Sequence, residues 1–295
     1  MKLITPDNHD LGLQHDLEQI AKLKARRRML GMMLSAGTAA LFAGCGGDDS
    51  STTGTSTSTS SGSSSGSGSS GSGSTTCVAN AEETAGPYPS DGSNMANGSV
   101  SNVLQESGIV RSDIRSSFGS STTTAEGVPL TLTLNIVNTN MLCAVLEGCA
   151  VYLWHCTRDG GYSLYSSGIQ DENFLRGVQV SDQNGQITFK TIFPGCYSGR
   201  YPHIHFEIYP SLAFATLYSN KILTSQLALP RDICSTVYSG ASGYSASVNN
   251  LANVTTSSDG VFGDNTAAQI AAMTPSISGS VANGYEGTIT IGVAA

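Results

Sequence analysis

Two histidines, His203 and His205, close the stretch Tyr197-Ser-Gly-Arg200-Tyr201-Pro202-His-Ile-His, and a second tyrosine motif, Gly160-Gly161-Tyr162, lies upstream. Successive side chains of a strand point to opposite faces, so histidines at i and i+2 share one face and can grip a single metal ion. Two imidazoles joined by the phenolates of Tyr162 and Tyr197 make a hard, anionic donor set, better suited to ferric iron than to zinc or copper(I). Tyr201 competes with Tyr197, because it shares a face with both histidines if the strand begins that early. Pro202 disfavours regular pairing there, so Tyr201 is read as lining the pocket. His155, beside Trp154 in an apolar run, reads as a structural histidine rather than a further ligand.

The elements that must position these residues are short strands. Val128–Val137 alternates apolar residues with Thr or Asn, the period of a half-buried strand. Ala150–His155 is more continuously apolar and so more central. Gly177–Asp182 and Gln186–Ile192 flank Asn184-Gly185, which predicts a tight hairpin between them. His203–Tyr209 and Glu286–Val293 follow as strands. Many short strands, punctuated by Gly, Asn and Asp, predict an all-β, antiparallel β-sandwich with long loops. Residues 232–283 read as loops with a short helix around Ala267–Met273.

The N-terminal part reads differently. Arg26-Arg27-Arg28 precedes an apolar run, Gly31–Phe42, and then Ala43-Gly44-Cys45. This has the layout of an export signal of the twin-arginine type, too short and too weakly apolar for a permanent membrane span. The ending resembles a lipoprotein cleavage box, which would make Cys45 a lipidated membrane tether; ordinary soluble secretion is the alternative. Residues 46–76 are almost wholly Gly, Ser and Thr, a flexible linker with a reach of about 30 Å. The expected organisation is therefore signal 1–45, linker 46–76 and sandwich domain 77–295, exported to a periplasm or cell surface. Cys77, Cys143, Cys149, Cys156, Cys196 and Cys234 then suggest disulfides, with Cys143 and Cys149 the first guess for a local pair. The chain has 14 basic against 22 acidic residues, and six of the bases fall within the first 45 positions. Such an acidic domain argues against nucleic acid or an anionic membrane as its partner.

Four motifs occur in order: Glu83-Thr-Ala-Gly86-Pro87-Tyr88, Trp154-His-Cys-Thr-Arg-Asp-Gly-Gly-Tyr162-Ser163, Phe174-Leu-Arg176-Gly177-Val-Gln179, and Pro194-Gly-Cys-Tyr197 through His205. Together they resemble the intradiol ring-cleavage dioxygenases, the family of catechol 1,2-dioxygenase and protocatechuate 3,4-dioxygenase, over roughly residues 80–230. The resemblance implies four ligands to non-haem Fe(III), namely Tyr162, Tyr197, His203 and His205. It also implies an arginine at Arg200 that stabilises negative charge building on the substrate ring. Thr224-Ser225-Gln226 is similar to a downstream family segment and nominates Gln226 as a pocket residue. The implied substrates are a small aromatic diol and O2, with Tyr197 leaving the metal and helping to accept a proton. Oxygen would enter between the two hydroxylated carbons, giving a muconate-type diacid. Arg176 and Gln179 either brace the ligands from behind or are a turn-flanking polar pair, and Tyr88 closes one side of the pocket.

Two other functions remain compatible with the residues. One is a copper-type oxidase built on the histidine pair, against which two tyrosinates weigh. The other is an exported sandwich that binds glycans or proteins and keeps a metal only for stability.

Overall fold

The computed structural model describes residues 78–295. The expected signal and linker, together with Cys45 and Cys77, lie outside the described residues. The strands are β1 (Asp91–Ala96), β2 (Ser99–Asn102), β3 (Pro129–Asn138), β4 (Ala144–Val145), β5 (Ala150–Trp154), β6 (Arg176–Val180), β7 (Gln186–Ile192), β8 (His203–Tyr209), β9 (Leu223–Ala228), β10 (Ser276–Ser280) and β11 (Gly284–Val293). Three α-helices lie between β9 and β10: α1 (Arg231–Gly240), α2 (Ser245–Ala252) and α3 (Ala267–Ala272).

One sheet runs β10-β11-β3-β4, with β7 also paired to β3; the other runs β6-β5-β8-β9; β1 and β2 form a separate ribbon. The apolar sides of the two larger sheets meet. Leu130, Leu132, Leu134 and Ile136 of β3 share one buried cluster with Val151 and Leu153 of β5 and with Ile204, Phe206 and Ile208 of β8. The alternation in β3 is thus the pattern of a strand with one side in this core.

The opposite side of the four-stranded sheet is also covered. Ala150, Tyr152 and Trp154 of β5, Val178 of β6 and Tyr209 of β8 pack with Val103, Leu104 and Ile109 from the segment ahead of β3. This second layer explains why β5 is apolar throughout: both of its faces are buried. It also explains β8, whose pattern His-Ile-His-Phe-Glu-Ile-Tyr alternates polar and apolar although all seven residues are buried.

Four expectations about the fold need correction. The Asn184-Gly185 turn is present: Gly185 has φ +70°, its N–H donates to the Asp182 carbonyl at 2.8 Å, and Asp182 N donates to Gln186 O at 3.1 Å. Yet β6 and β7 do not form a hairpin, because β6 pairs with β5 and β7 with β3. The turn fixes a local reversal, whereas the partner is chosen by burial. Ile187 and Phe189 of β7 join the core between the sheets, while Val178 of β6 packs into the second layer.

The sandwich is also not wholly antiparallel, since β11 runs parallel to β3 from Tyr285↔Leu130 to Val293↔Asn138. The third correction concerns 232–283, where the helix near Ala267 is found as α3, with a Thr266/Gln269 capping box, but α1 and α2 are additional. Helix α1 buries Cys234, Val237 and Tyr238, an i, i+3, i+4 stripe hidden among Ser and Thr of low helix propensity.

The guess of a Cys143–Cys149 bridge is also overturned. Cys143 is disulfide-bonded, but Cys149, Cys156, Cys196 and Cys234 are all free and buried, so the partner of Cys143 lies outside the described residues.

Candidate metal centre

Strand β8 places His203 and His205 side by side on its second-layer face, with Nε2 to Nε2 at 3.1 Å. Nδ1 of His203 bonds to the Tyr201 carbonyl at 2.6 Å. A carbonyl only accepts, so that nitrogen carries the proton and Nε2 is left with a lone pair aimed at the centre. The His205 ring lies flat on the Trp154 indole, 4.8 Å between centroids at 7°, which fixes its plane.

The tyrosines arrive from two loops. The one after β5 is tightened by Thr157 N donating to Gly161 O (2.7 Å) and Gly160 N to Thr157 O (3.0 Å), while Tyr162 N donates to Ser166 Oγ (2.8 Å). Gly160 has φ +91°, and a Cβ there would stand 3.0 Å from the Cβ of Tyr197, so this glycine lets the two tyrosine-bearing loops touch. The loops are also tied where Gly195 N donates to Thr157 O at 3.0 Å. The Tyr162 hydroxyl ends 3.4 Å from His203 Nε2 and the Tyr197 hydroxyl 3.2 Å from the same atom. Tyr162, His203 and His205 are buried, whereas Tyr197 is half-buried.

Burial pushes the His203 imidazole down to about 3, with Arg200 adding to the effect. His205 is pushed well below its ordinary value by burial, then by His203 and Arg200. The Tyr162 phenol is raised by burial and then by Tyr197. Neutral imidazoles beside two phenol oxygens, with donor atoms crowded within 3.1–3.4 Å of one another, fit a cation well. Bonds of roughly 2 Å to a first-row metal put neighbouring donors about 3 Å apart. Among the described residues no group of three or more His, Cys, Asp and Glu is placed to hold a metal, so the phenols would have to complete such a site.

The remaining candidates divide. Arg200 is buried beside the centre, its Nε donating to Asp259 Oδ2 at 3.0 Å and its Nη2 to Gln226 Oε1 at 2.6 Å. Gln226 stands directly across from His205 in the β8–β9 register, and its Nε2 donates to Thr84 O at 2.8 Å. Tyr88 packs its ring 4.9 Å from that of Tyr162, as expected of a side wall. Arg176 does brace the site from behind: Nε donates to Ser163 Oγ, Nη2 to Ser163 O, and Nη1 to Tyr152 Oη and Pro89 O, all between 3.0 and 3.1 Å. Gln179 is part-exposed, further along β6.

Tyr201 is not at the centre. Its hydroxyl donates to Leu229 O at 3.0 Å and its ring meets Phe262 edge-on, within the core between the sheets. His155 is buried between the Cys156 carbonyl (2.7 Å) and the Thr191 hydroxyl (2.6 Å), the structural role expected of it. Asp259 was not visible to sequence reasoning: it sits in a Ser/Asp/Gly stretch with no motif.

A β-sandwich in which two imidazoles and two phenols meet is the class that fold and centre define, and comparison with known proteins shows what it is similar to. A family profile described as Dioxygenase matches residues 115–239. The solved intradiol ring-cleavage dioxygenase from Tetranychus urticae is 25% identical, with a TM-score of 0.56 over 74% of this chain and 95% of that one. A second solved dioxygenase, also 25% identical, aligns with a TM-score of 0.54 over 74% of this chain and 94% of that one. The chlorocatechol 1,2-dioxygenase of Rhodococcus opacus is 29% identical over 113 residues, 32% of this chain; the chain spans 44% of that relative's length. Residues 115–239 thus match a dioxygenase family profile, and the described domain is similar to solved intradiol ring-cleavage dioxygenases.

Proposed function

We propose that the protein is a non-haem Fe(III)-dependent intradiol dioxygenase acting on a catechol-type aromatic, with Tyr162, Tyr197, His203 and His205 as ligands. The observation that carries this is the convergence of two phenol oxygens and two imidazole nitrogens on one point. Bound there, ferric iron would hold the diol through both oxygens and allow the ring to react with O2, giving a muconate-type diacid. Tyr197 alone of the four donors is half-exposed, so it is the arm able to swing out and hold a proton from the incoming diol. Arg200, permanently charged and held against Gln226, faces charge that develops on the ring. Trp154 and Tyr88 fix ring planes and exclude water from the buried side.

Two phenol donors speak against a copper oxidase. A metal kept only for stability would not need a half-exposed tyrosine or a clamped arginine beside it. The test is optical and chemical. Iron-loaded protein should show a broad visible tyrosinate-to-Fe(III) band that shifts on adding catechol, with O2 uptake and a ring-opened diacid by mass spectrometry. A colourless iron-loaded preparation would remove the reading.

Export and lipid attachment at Cys45 belong to the same proposal, motivated by the basic and apolar order of residues 26–45. Labelling cells with a radioactive fatty acid should mark the wild type but not Cys45→Ser; equal labelling, or none in either, contradicts lipidation.

A further inference from the structure

Arg200 is held from a part of the chain in which no motif was visible, and the way it is held has a consequence for the reaction. The side chain of Asp259 is wholly buried, as is nearly all of Arg200. Its Oδ2 accepts from Arg200 Nε at 3.0 Å and from Tyr201 N at 2.6 Å. Its Oδ1 accepts from Val261 N at 2.8 Å and Phe262 N at 3.0 Å. Four donors on two oxygens leave the carboxylate no rotation that does not break a backbone bond. On the far side Arg200 Nη2 meets Gln226 Oε1, and that amide cannot flip because its Nε2 is bonded to Thr84 O. The guanidinium is planar, so two fixed contacts, at Nε and at Nη2, define its orientation.

We propose that Asp259 is the positioning residue for Arg200, setting the direction in which the guanidinium faces the metal centre. This deepens the dioxygenase reading and rests on it for the chemical consequence, though not for the clamp itself. An ion pair serving only to pin residues 254–262 against the sheet would need the acid and the base, but not the rest of the arrangement. Here the acid also takes the backbone N–H of Tyr201, next in chain to Arg200. The opposite edge of the same guanidinium rests on Gln226, the cross-strand neighbour of His205. The row Asp259, Arg200, Gln226 and Thr84 therefore runs past the imidazoles and fixes a cation beside them.

The test uses Asp259→Asn and Asp259→Glu in the full-length protein. Asparagine keeps the shape but must turn an NH2 group toward N–H donors on one side of the turn; glutamate keeps the charge but shifts it. In metal-free protein with 15N-labelled arginine, the Nε–H of Arg200, assigned by its disappearance in Arg200→Lys, should exchange slowly in the wild type. In Asp259→Asn that exchange should quicken by at least about tenfold, since a buried charge-assisted bond is lost, with Asp259→Glu intermediate. In iron-loaded protein, Asp259→Asn should lower kcat by about 10²-fold, as expected for a misplaced catalytic group. KM should change little and the visible band should stay in place.

Unchanged Nε–H exchange in Asp259→Asn, or a lowered melting temperature with unaltered kcat, would overturn the proposal. Should Asp259→Asn not fold, Asp259→Glu carries the same two measurements. A wild type that yields no ring-opened product retires the dioxygenase reading, and the exchange rate alone then decides the clamp.

Discussion

Two buried polar clusters lie on the same face of the four-stranded sheet, on either side of Trp154, and they are built on opposite principles. The Trp154 ring stacks on His205 at 4.8 Å on one side and on Tyr152 at 4.8 Å on the other. Beyond Tyr152, the carboxylate of Glu207 accepts from Lys221 Nζ (2.6 Å), Tyr209 Oη (2.7 Å) and Thr224 Oγ1 (3.4 Å). Arg176 meanwhile satisfies Tyr152, Ser163 and Pro89. That cluster contains its own cations. The His203/His205 cluster points lone pairs inward, and its nearest cation, Arg200, is already paired with Asp259. Burial of polar groups is tolerated only when charge and hydrogen bonds are balanced. One cluster is balanced by the chain, and the other, on the reading proposed above, would be balanced by a bound cation.

The largest effect that would break this comparison is in metal binding. Tyr162→Phe or His205→Ala should each abolish iron retention and turnover, measured as iron per chain after desalting; normal iron content in either variant would mean that the donors are misassigned. Next comes the self-contained cluster. Arg176→Met removes the donor to the Ser163 carbonyl and hydroxyl and to Tyr152 Oη, leaving Pro89 O only its bond from Tyr152 Oη, and should cost about 3 kcal/mol in urea unfolding of metal-free protein. A loss well under about 1 kcal/mol would mean that these bonds carry little.

Glu207 gives a pH-dependent version of the same test. Burial raises its carboxyl to about 7, against Lys221, which pulls it down. Because this lies above the ordinary value of 4.5, the folded protein keeps a proton that the unfolded chain has already released. The associated stability is full below the ordinary value and is lost as pH rises through about 7. Glu207→Gln, which cannot titrate, should therefore be most costly relative to wild type near pH 4.5. The cost should shrink by up to about 3 kcal/mol toward pH 7.5, read from urea unfolding across that range. A cost that grows with pH would reverse the assignment.

The smallest effect is expected at His155, which burial holds neutral, down to about 4. His155→Gln should leave turnover within a few-fold and cost about 1 kcal/mol for the altered Thr191 bond. Loss of turnover in this variant, with the fold intact, would show that the centre extends to His155.

Much of this arrangement was legible in the chain. The spacing of His203 and His205 places them on one face of any strand, and the alternation in β3 and the apolar run of β5 announce their burial. Gly160-Gly161 before Tyr162 and Gly-Arg200 before the histidines were recognisable motifs. The failures share a cause. Asn184-Gly185 is a correct turn between strands that belong to different sheets, and Tyr201 has the right phase but the opposite destination, with its hydroxyl on Leu229 O. Helix α1 was masked by residues whose local preference is weak. In each case the deciding interaction is with a segment distant in sequence, which local propensity does not encode.

Residue type and near spacing determined the donor chemistry by themselves: imidazoles in phase on a strand, phenols on glycine-shaped loops, an arginine close by. Only the tertiary structure decided which donors converge, because two loops and a strand must meet at one point to within about an ångström. It also decided that the polar face of β8 is roofed by the segment before β3 and that Asp259 holds Arg200. The physical reason is that burying charge depends on every neighbour at once, and those neighbours are brought together by the fold rather than by the chain.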